Sequence, residues 1–214
     1  FAHVMTTSNH RPYTYPDGRI DIPSPGGREG AVKYTDYAIG KFIRDAKTRP
    51  WFHDTLFVFV ADHCASVAGK TKLPVKNYRI PLILYSPGNL KPGVFTPMIS
   101  QIDLVPSLID ALGRPGAERF FGRSVFREGP WMERAFISNY QELGYLRNNK
   151  LTVLMPKRRV QVFDVDPHTL ESTPAAADDD HLLEEAIAYY QSASVDFRKG
   201  LLRAPFHPER PDGR

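Results

Sequence analysis

Asp62 and His63 are neighbours that follow directly on the apolar run Thr55–Ala61 (TLFVFVA). A carboxylate beside an imidazole offers one oxygen and one nitrogen donor to a single divalent ion. A strand leading into the pair would place both residues beyond its carboxyl end, where open α/β sheets bind ligands. A plainer reading uses the same residues differently, with Asp62 capping a following helix and His63 on the surface.

The next residues hold a competing pattern. Cys64–Thr71 (CASVAGKT) approaches the phosphate-binding loop G-x-x-x-x-G-K-[ST], and Gly69, Lys70 and Thr71 match it. Cys64 stands where the first glycine gives the turn its backbone freedom. Pro74 follows too soon for the long helix that would aim its N-terminus at phosphate. The run is therefore a poor nucleotide site.

His10 is the other candidate. It closes the stretch Thr6–His10 (TTSNH) and opens a loop rich in proline and glycine. A histidine there can bind an oxyanion or deliver a proton, or it is an ordinary loop residue. His3, His53, His168, His181 and His207 read as background. The carboxylates Asp178, Asp179 and Asp180 suit a helix N-terminus better than a cation site. The lone cysteine, Cys64, excludes an internal disulfide framework and a multi-cysteine zinc site.

Positioning these residues requires particular elements. Phe1–Thr7 reads as a short strand. Residues 11–28 carry Pro12, Pro16, Gly18, Pro23, Pro25, Gly26 and Gly27, which forbid regular structure and make a long ordered loop. A helix is expected over 29–47, with Ile39, Phe42, Ile43 and Ala46 on its apolar face. Thr55–Ala61 and Arg79–Ser86 (RIPLILYS) are continuous apolar runs, the pattern of parallel strands covered on both faces. Ser100 opens a second helix with Asp103 three residues on, as in a capping box. Its expected apolar face is Val105, Leu108, Ile109 and Leu112, with Gly113 as the cap.

Beyond about residue 135 the pattern changes to AFISN, LGYLRN, KLTVLM and RVQVFDV, separated by turns at Asn148–Asn149 and Pro156–Lys157. These predict an antiparallel sheet, followed by a helix over about 180–202 and a loose tail from Pro205. The fold class is α/β. A complete doubly wound sheet needs more buried strands than this chain has, so an N-terminal half is expected upstream. Phe1 opens within a strand and reads as a cut.

Composition limits the function classes. Hydrophobic residues are 42% and charged residues 24% of 214, ordinary for a globular protein. The formal charge of +4 is small and mixed along the chain, which gives no reason to infer nucleic acid binding. No stretch approaches the roughly 18 apolar residues of a membrane span. Any anchor or targeting segment is expected upstream.

Taken in order, TTSNHRPY, YTDYAIGKFI, DTLFVFVADH, YRIPLILYSPG and SQIDLVPSLIDALG resemble the second half of the catalytic domain of the alkaline phosphatase and sulfatase superfamily. The resemblance is to lipoteichoic acid synthase-like phosphoglycerol transferases. It runs from Phe1 to about Gly122–Ser124 and continues more weakly to VFDVDPHTLE, which looks like the family's closing strand and turn. It implies the C-terminal part of an alkaline phosphatase-like doubly wound sheet over 1–132. A small antiparallel sheet and a terminal helix over 133–214 would complete the same domain.

The resemblance also implies roles. Asp62 and His63 would bind a catalytic divalent ion, Mn²⁺ or Mg²⁺ ahead of Zn²⁺ or Ca²⁺. His10 would bind the substrate's phosphate group. The family's threonine nucleophile and acidic metal ligand fall upstream, and none of Thr6, Thr7 and Thr71 replaces the nucleophile. Cys64 departs from the glycine that many relatives carry after Asp-His, although a subgroup has cysteine there. It is not a sulfatase nucleophile, since that cysteine sits in C-x-P-x-R and this one in C-A-S-V-A.

The implied reaction is transfer of a phosphoglycerol-type group from a phosphodiester such as a lipid head group, through a covalent phosphothreonine, to an acceptor hydroxyl. Phosphoethanolamine transferase, phosphodiesterase and sulfatase are alternatives on the same fold, the last acting on a sulfate ester. A non-catalytic binding module on a decayed enzyme is the alternative of another class. The expected setting is extracytoplasmic, periplasmic or at the cell surface, with upstream transmembrane helices. The chain alone is expected to be inactive, and to self-associate or bind its missing half.

Overall fold

A computed structural model describes residues 1–65, 73–116, 120–177 and 179–202. Packing divides the chain into two units, Phe1–Phe59 with Ile83–Pro92, and Val60–Leu82 with the residues from Gly93 onward.

In the first unit, the breaker-rich stretch is irregular as expected, and it is organised by Tyr15. That side chain is buried, and its hydroxyl donates to the carbonyls of Ile22 and Pro23, each at 3.2 Å. The Tyr34 ring stacks on it at 5.3 Å. Helix α1 then runs Gly27–Ala46, with Glu29 in its first turn and Arg44 in its last, both favourable to the helix dipole. Its C-terminal end packs Ala46 and Ile43 against Phe52, Phe57, Phe59 and Tyr85.

Strands β1 (Phe57–Val60) and β2 (Leu82–Tyr85) pair in a two-stranded sheet. Ser86 Oγ donates to the Thr55 carbonyl at 2.9 Å, and Asn89 Nδ2 to that of His53 at 2.7 Å, tying the approaches to the two strands together.

Three expectations for this region need correction. Phe1–Thr7 is not a strand. A strand exists only through its ladder, and no strand among the described residues pairs with it. Next, β1 and β2 are not covered on both faces, since Val60 and Ile83 are exposed. Double coverage needs a layer on each side, and the described residues supply less than that. Phe42 of α1 is likewise exposed, although its ring meets Phe57 edge-on at 6.0 Å.

The second unit is built on the expected antiparallel sheet, with strands β3 (Arg134–Ser138), β4 (Leu143–Arg147), β5 (Lys150–Met155), β6 (Arg159–Val165) and β7 (Ser172–Pro174) adjacent in chain order. The β4–β5 hairpin turns on Asn148 and Asn149, with φ of 52° and 58°. Both are in the left-handed region that a two-residue hairpin of the common twist-matched type demands, and asparagine tolerates it. The next turn places Lys157 and Arg158 at φ 63° and 57°.

The sheet is covered on both faces, and strict alternation carries this. Leu146, Leu151 and Val153 pack with Leu73, Val75, Ile137 and Val165. Tyr145 points the other way, into a cluster with Leu182 and Ala186 of helix α3 (Asp180–Lys199). Asp179 caps α3 by accepting from the Leu182 amide at 3.1 Å, and Gly200 closes it in the left-handed conformation. Asp178 and the tail from 203, including His207, lie outside the described residues.

Helix α2 (Leu104–Ala111) follows a 3₁₀ turn, Gln101–Asp103, with the expected capping box at Ser100 and Asp103. The Ser100 amide donates to Asp103 Oδ2 at 2.8 Å. Its buried side differs from expectation: Pro106 and Ser107 are buried, whereas Val105 and Leu112 are exposed. The reason is polar. Ser107 Oγ donates to the Asp103 carbonyl at 2.6 Å and accepts from the Val125 amide at 3.0 Å, which turns that side of the helix inward. Among the described residues no helix is long and apolar enough to cross a membrane.

Candidate functional site

Asp62 and His63 lie just past the end of β1, where the chain has left its ladder. Ala61 still donates its amide to the Pro81 carbonyl at 3.4 Å. Beyond it the side chains are free to face solvent, Asp62 being 86% and His63 65% exposed. Asp62 Oδ1 accepts the His63 amide at 2.9 Å, which leaves Oδ2 unused by the backbone.

The imidazole is oriented by its other nitrogen. His63 Nδ1 lies 2.7 Å from the Cys64 carbonyl oxygen. A carbonyl only accepts, so Nδ1 carries the hydrogen and Nε2 of the neutral ring has its lone pair free. That is the arrangement of a metal-binding histidine whose second nitrogen is fixed by an acceptor.

His63 Nε2 and Asp62 Oδ2 are 3.5 Å apart. Ligands at about 2.1 Å from one ion are roughly 3.4 Å apart along a tetrahedral edge and about 3.0 Å along an octahedral one. The pair therefore fits a divalent cation as two of its ligands. Zinc takes about four ligands and Ca²⁺ or Mg²⁺ about six, so two donors are part of a site. Among the described residues, no three His, Cys, Asp or Glu side chains come together to hold an ion.

Three hydrogen bonds to distant sequence pin this segment. Cys64 Sγ donates to the Arg79 carbonyl at 2.7 Å. Gln101 Nε2 donates to the carbonyls of Asp62 at 2.9 Å and Ala61 at 3.3 Å. Sequence reasoning passed over Gln101. The available signal was its place directly after the capping Ser100, which fixes where its side chain starts.

Behind Gln101 is a buried ion pair that sequence reasoning also missed. Arg134 Nη1 and Nη2 bind Asp103 Oδ2 and Oδ1 at 3.0 and 2.9 Å, with neither side chain exposed. Asp103 Oδ1 also accepts the Arg123 amide at 2.8 Å. Burial opposes the charge on Arg134. The hydrogen bonds it donates to Asp103 and Tyr189, with the Asp103 charge, outweigh it and hold the guanidinium above its ordinary pKa. Gly122 completes the seat, since a Cβ there would collide with the Ile102 carbonyl.

His10 belongs to the first unit and is exposed. Its amide donates to the Thr7 carbonyl at 3.0 Å and its Nδ1 donates to that of Arg11 at 2.9 Å. Its Nε2 is thus the free nitrogen, an acceptor when the ring is neutral and a donor when it is protonated. Nearby, Arg28 Nη2 donates to Tyr13 Oη at 2.9 Å.

Three other histidines make contacts elsewhere in the described residues. His53 sits edge-on to Phe52, the His168 amide donates to Asp166, and His181 lies 3.8 Å from Glu185 one turn along α3. Asp179 and Asp180 serve the helix start. Most of the phosphate-loop look-alike, including Gly69, Lys70 and Thr71, lies outside the described residues.

Comparison with known proteins identifies the family and the fold. The sulfatase family model matches residues 1–114, and the chain belongs to the sulfatase family. Its α/β fold, with the antiparallel sheet and terminal helix, is that of the alkaline phosphatase superfamily. A solved Vibrio parahaemolyticus protein of that superfamily is 31% identical with a TM-score of 0.84, covering 93% of this chain and 49% of its own. An arylsulfatase of Clostridium perfringens is 29% identical over 90 residues, which are 38% of this chain and 19% of that enzyme. A third protein, Ps i-CgsB, has a TM-score of 0.58 at 19% identity over 79% of this chain and 43% of its own, and shows the fold alone. The chain thus spans about half of the solved relative and about a fifth of the curated one.

Proposed function

We propose that this chain supplies two ligands, Asp62 and His63, to the divalent metal centre of a superfamily enzyme that transfers a phosphoglycerol-type group from a phosphodiester. The observation that carries the reading is the 3.5 Å span between Asp62 Oδ2 and His63 Nε2, with His63 Nδ1 already committed to a carbonyl. Asp62 and His63 would hold a divalent ion, which would supply Lewis-acid charge at the ester and favour ionisation of an attacking hydroxyl. Mn²⁺ and Mg²⁺ are proposed ahead of Zn²⁺ and Ca²⁺ by resemblance to the phosphoglycerol transferases, not from the 3.5 Å span, which is nearer a tetrahedral edge.

His10 is proposed to hold the phosphoryl group. With Nδ1 donating to Arg11, its Nε2 can donate to an anionic oxygen only in the protonated ring, so the imidazolium is the working form. A threonine nucleophile and an acidic ligand are proposed upstream of Phe1. An extracytoplasmic setting, with anchoring helices preceding this chain, is part of the same proposal. Exposed apolar residues, Phe1, Val4 and Met5 in one unit and Val105 and Leu112 in the other, support association with further residues of the same protein or with a second copy.

Sulfate ester hydrolysis is the second reading, and the similarity to an arylsulfatase favours it. Turnover of a chromogenic phosphodiester and of an aryl sulfate by the full-length protein distinguishes the two. Metal-dependent phosphodiester turnover, abolished by Asp62→Ala, supports phosphotransfer chemistry. Turnover of the aryl sulfate alone supports the second reading.

A further inference from the structure

We propose that Gln101 is a positioning residue for the Asp62–His63 pair, and that the buried Asp103–Arg134 ion pair holds Gln101 in place to do so. The inference rests on the metal reading above and adds to it the group that fixes the two ligands.

Asp62 and His63 lie beyond the last residue of β1, in backbone that the sheet no longer holds. A ligand pair on free backbone would sample many relative positions, and ordering it would cost binding energy. The Ala61 and Asp62 carbonyls are the handles through which this segment can be fixed. Gln101 Nε2 has two hydrogens and serves both, at 3.3 and 2.9 Å, across about forty residues of sequence.

Gln101 would be a weak clamp if it moved freely, because an exposed glutamine loses rotamer entropy on ordering. Its backbone does not move freely. It is the first residue of the 3₁₀ turn, bracketed by Ser100 and Asp103. The Ser100 amide donates to Asp103 Oδ2, and Ser100 Oγ accepts the Phe136 amide of β3 at 3.3 Å. Asp103 is in turn gripped at both oxygens by Arg134, the first residue of β3. The antiparallel sheet thus sets the turn, the turn sets Gln101, and Gln101 sets the backbone that carries the ligands. Cys64, donating to Arg79, holds the far side of the same segment. Groups that orient ligating residues from outside the coordination shell typically change metal affinity by about 10- to 100-fold when removed.

The test is Gln101→Met in the full-length protein, since methionine keeps the side chain's length and helix propensity but has no donor. Gln141→Met, at an exposed glutamine in the β3–β4 turn, is the control, and Asp62→Ala is the reference for loss of a ligand. Mn²⁺ affinity by titration calorimetry, the metal-free unfolding midpoint, and amide hydrogen exchange at Ala61 and His63 are the readouts. Gln101→Met should weaken Mn²⁺ binding about tenfold or more and speed exchange at Ala61 and His63. Its metal-free midpoint should match that of Gln141→Met. If Asp62→Ala loses Mn²⁺ binding while Gln101→Met binds as wild type does, the positioning role is overturned and the metal reading stands. If Asp62→Ala binds Mn²⁺ as wild type does, the metal reading falls and this inference falls with it.

Discussion

Asp103 and Arg134 face each other in a two-point ion pair, Oδ1 to Nη2 at 2.9 Å and Oδ2 to Nη1 at 3.0 Å, with both side chains wholly buried. The pair joins the start of α2 to the first residue of β3, and Arg134 also lies over the rings of Phe136 and Tyr189 at 5.6 and 5.8 Å. Removing one member leaves the other as an uncompensated buried charge, which costs about 3–5 kcal/mol. Arg134→Met and Asp103→Leu should each lower the unfolding free energy measured by urea denaturation by that order. The double variant should cost clearly less than the sum, because it leaves no orphan charge. Additive losses in a double-mutant cycle would mean that the two residues stabilise the fold independently.

Alkaline pH should weaken the second unit through two tyrosines. Burial, reinforced by the hydrogen bond to Glu185, pushes Tyr145 up to about 12, and burial pushes Tyr190 up to about 12. Tyr145 Oη donates to Glu185 Oε2 at 2.9 Å, and Tyr190 Oη to the Gly144 carbonyl at 3.2 Å. A folded pKa above the unfolded value of about 10 means that stability is intact below pH 10 and is lost as pH rises towards about 12. For the fully buried Tyr145 a displacement of that size corresponds to about 3 kcal/mol. Urea midpoints measured from about pH 9 to pH 12 should fall less steeply in Tyr145→Phe than in wild type. Equal slopes would show that Tyr145 does not govern the alkaline limb.

His10→Ala should impair turnover far more than folding. The side chain is exposed, and among the described residues it bonds only to the neighbouring Arg11 carbonyl, so few buried contacts are lost and the unfolding midpoint should move little. If the imidazolium stabilises charge that develops on the phosphoryl oxygens, kcat and kcat/KM should fall together, by about 10²-fold or more. Kinetics and denaturation measured on the same full-length variant separate the two roles. Near-normal kcat/KM in a folded His10→Ala protein would remove His10 from the reaction.

Much of the second unit was legible in the sequence, for physical reasons. The hairpin at Asn148–Asn149 requires positive φ twice, and few residues tolerate that, so the turn announces itself. The capping box at Ser100 and Asp103 and the cap at Asp179 are local, and local chemistry is visible in local sequence. Less legible were features that depend on partners far along the chain. Arg134 looks like any cation at a strand edge until Asp103, 31 residues away, is placed beside it. The inward side of α2 follows Ser107, whose hydrogen bonds to Asp103 and Val125 outweigh the apolar stripe of Val105 and Leu112. Phe1–Thr7 has strand composition but no ladder among the described residues. At the site, the ligand types Asp62 and His63 were readable, whereas Gln101 was not, because its role is created by a contact some forty residues distant.

Titration calorimetry of Mn²⁺ into the metal-free full-length protein, wild type beside Asp62→Ala and His63→Ala, tests the central claim most directly. The account predicts saturable binding by wild type, a loss of affinity in each variant exceeding the roughly 10- to 100-fold typical of an outer-shell partner, and unfolding midpoints that barely change without metal, since both side chains are exposed. Wild-type affinity in both variants would contradict it, and would leave Asp62 and His63 as surface residues at the end of a strand.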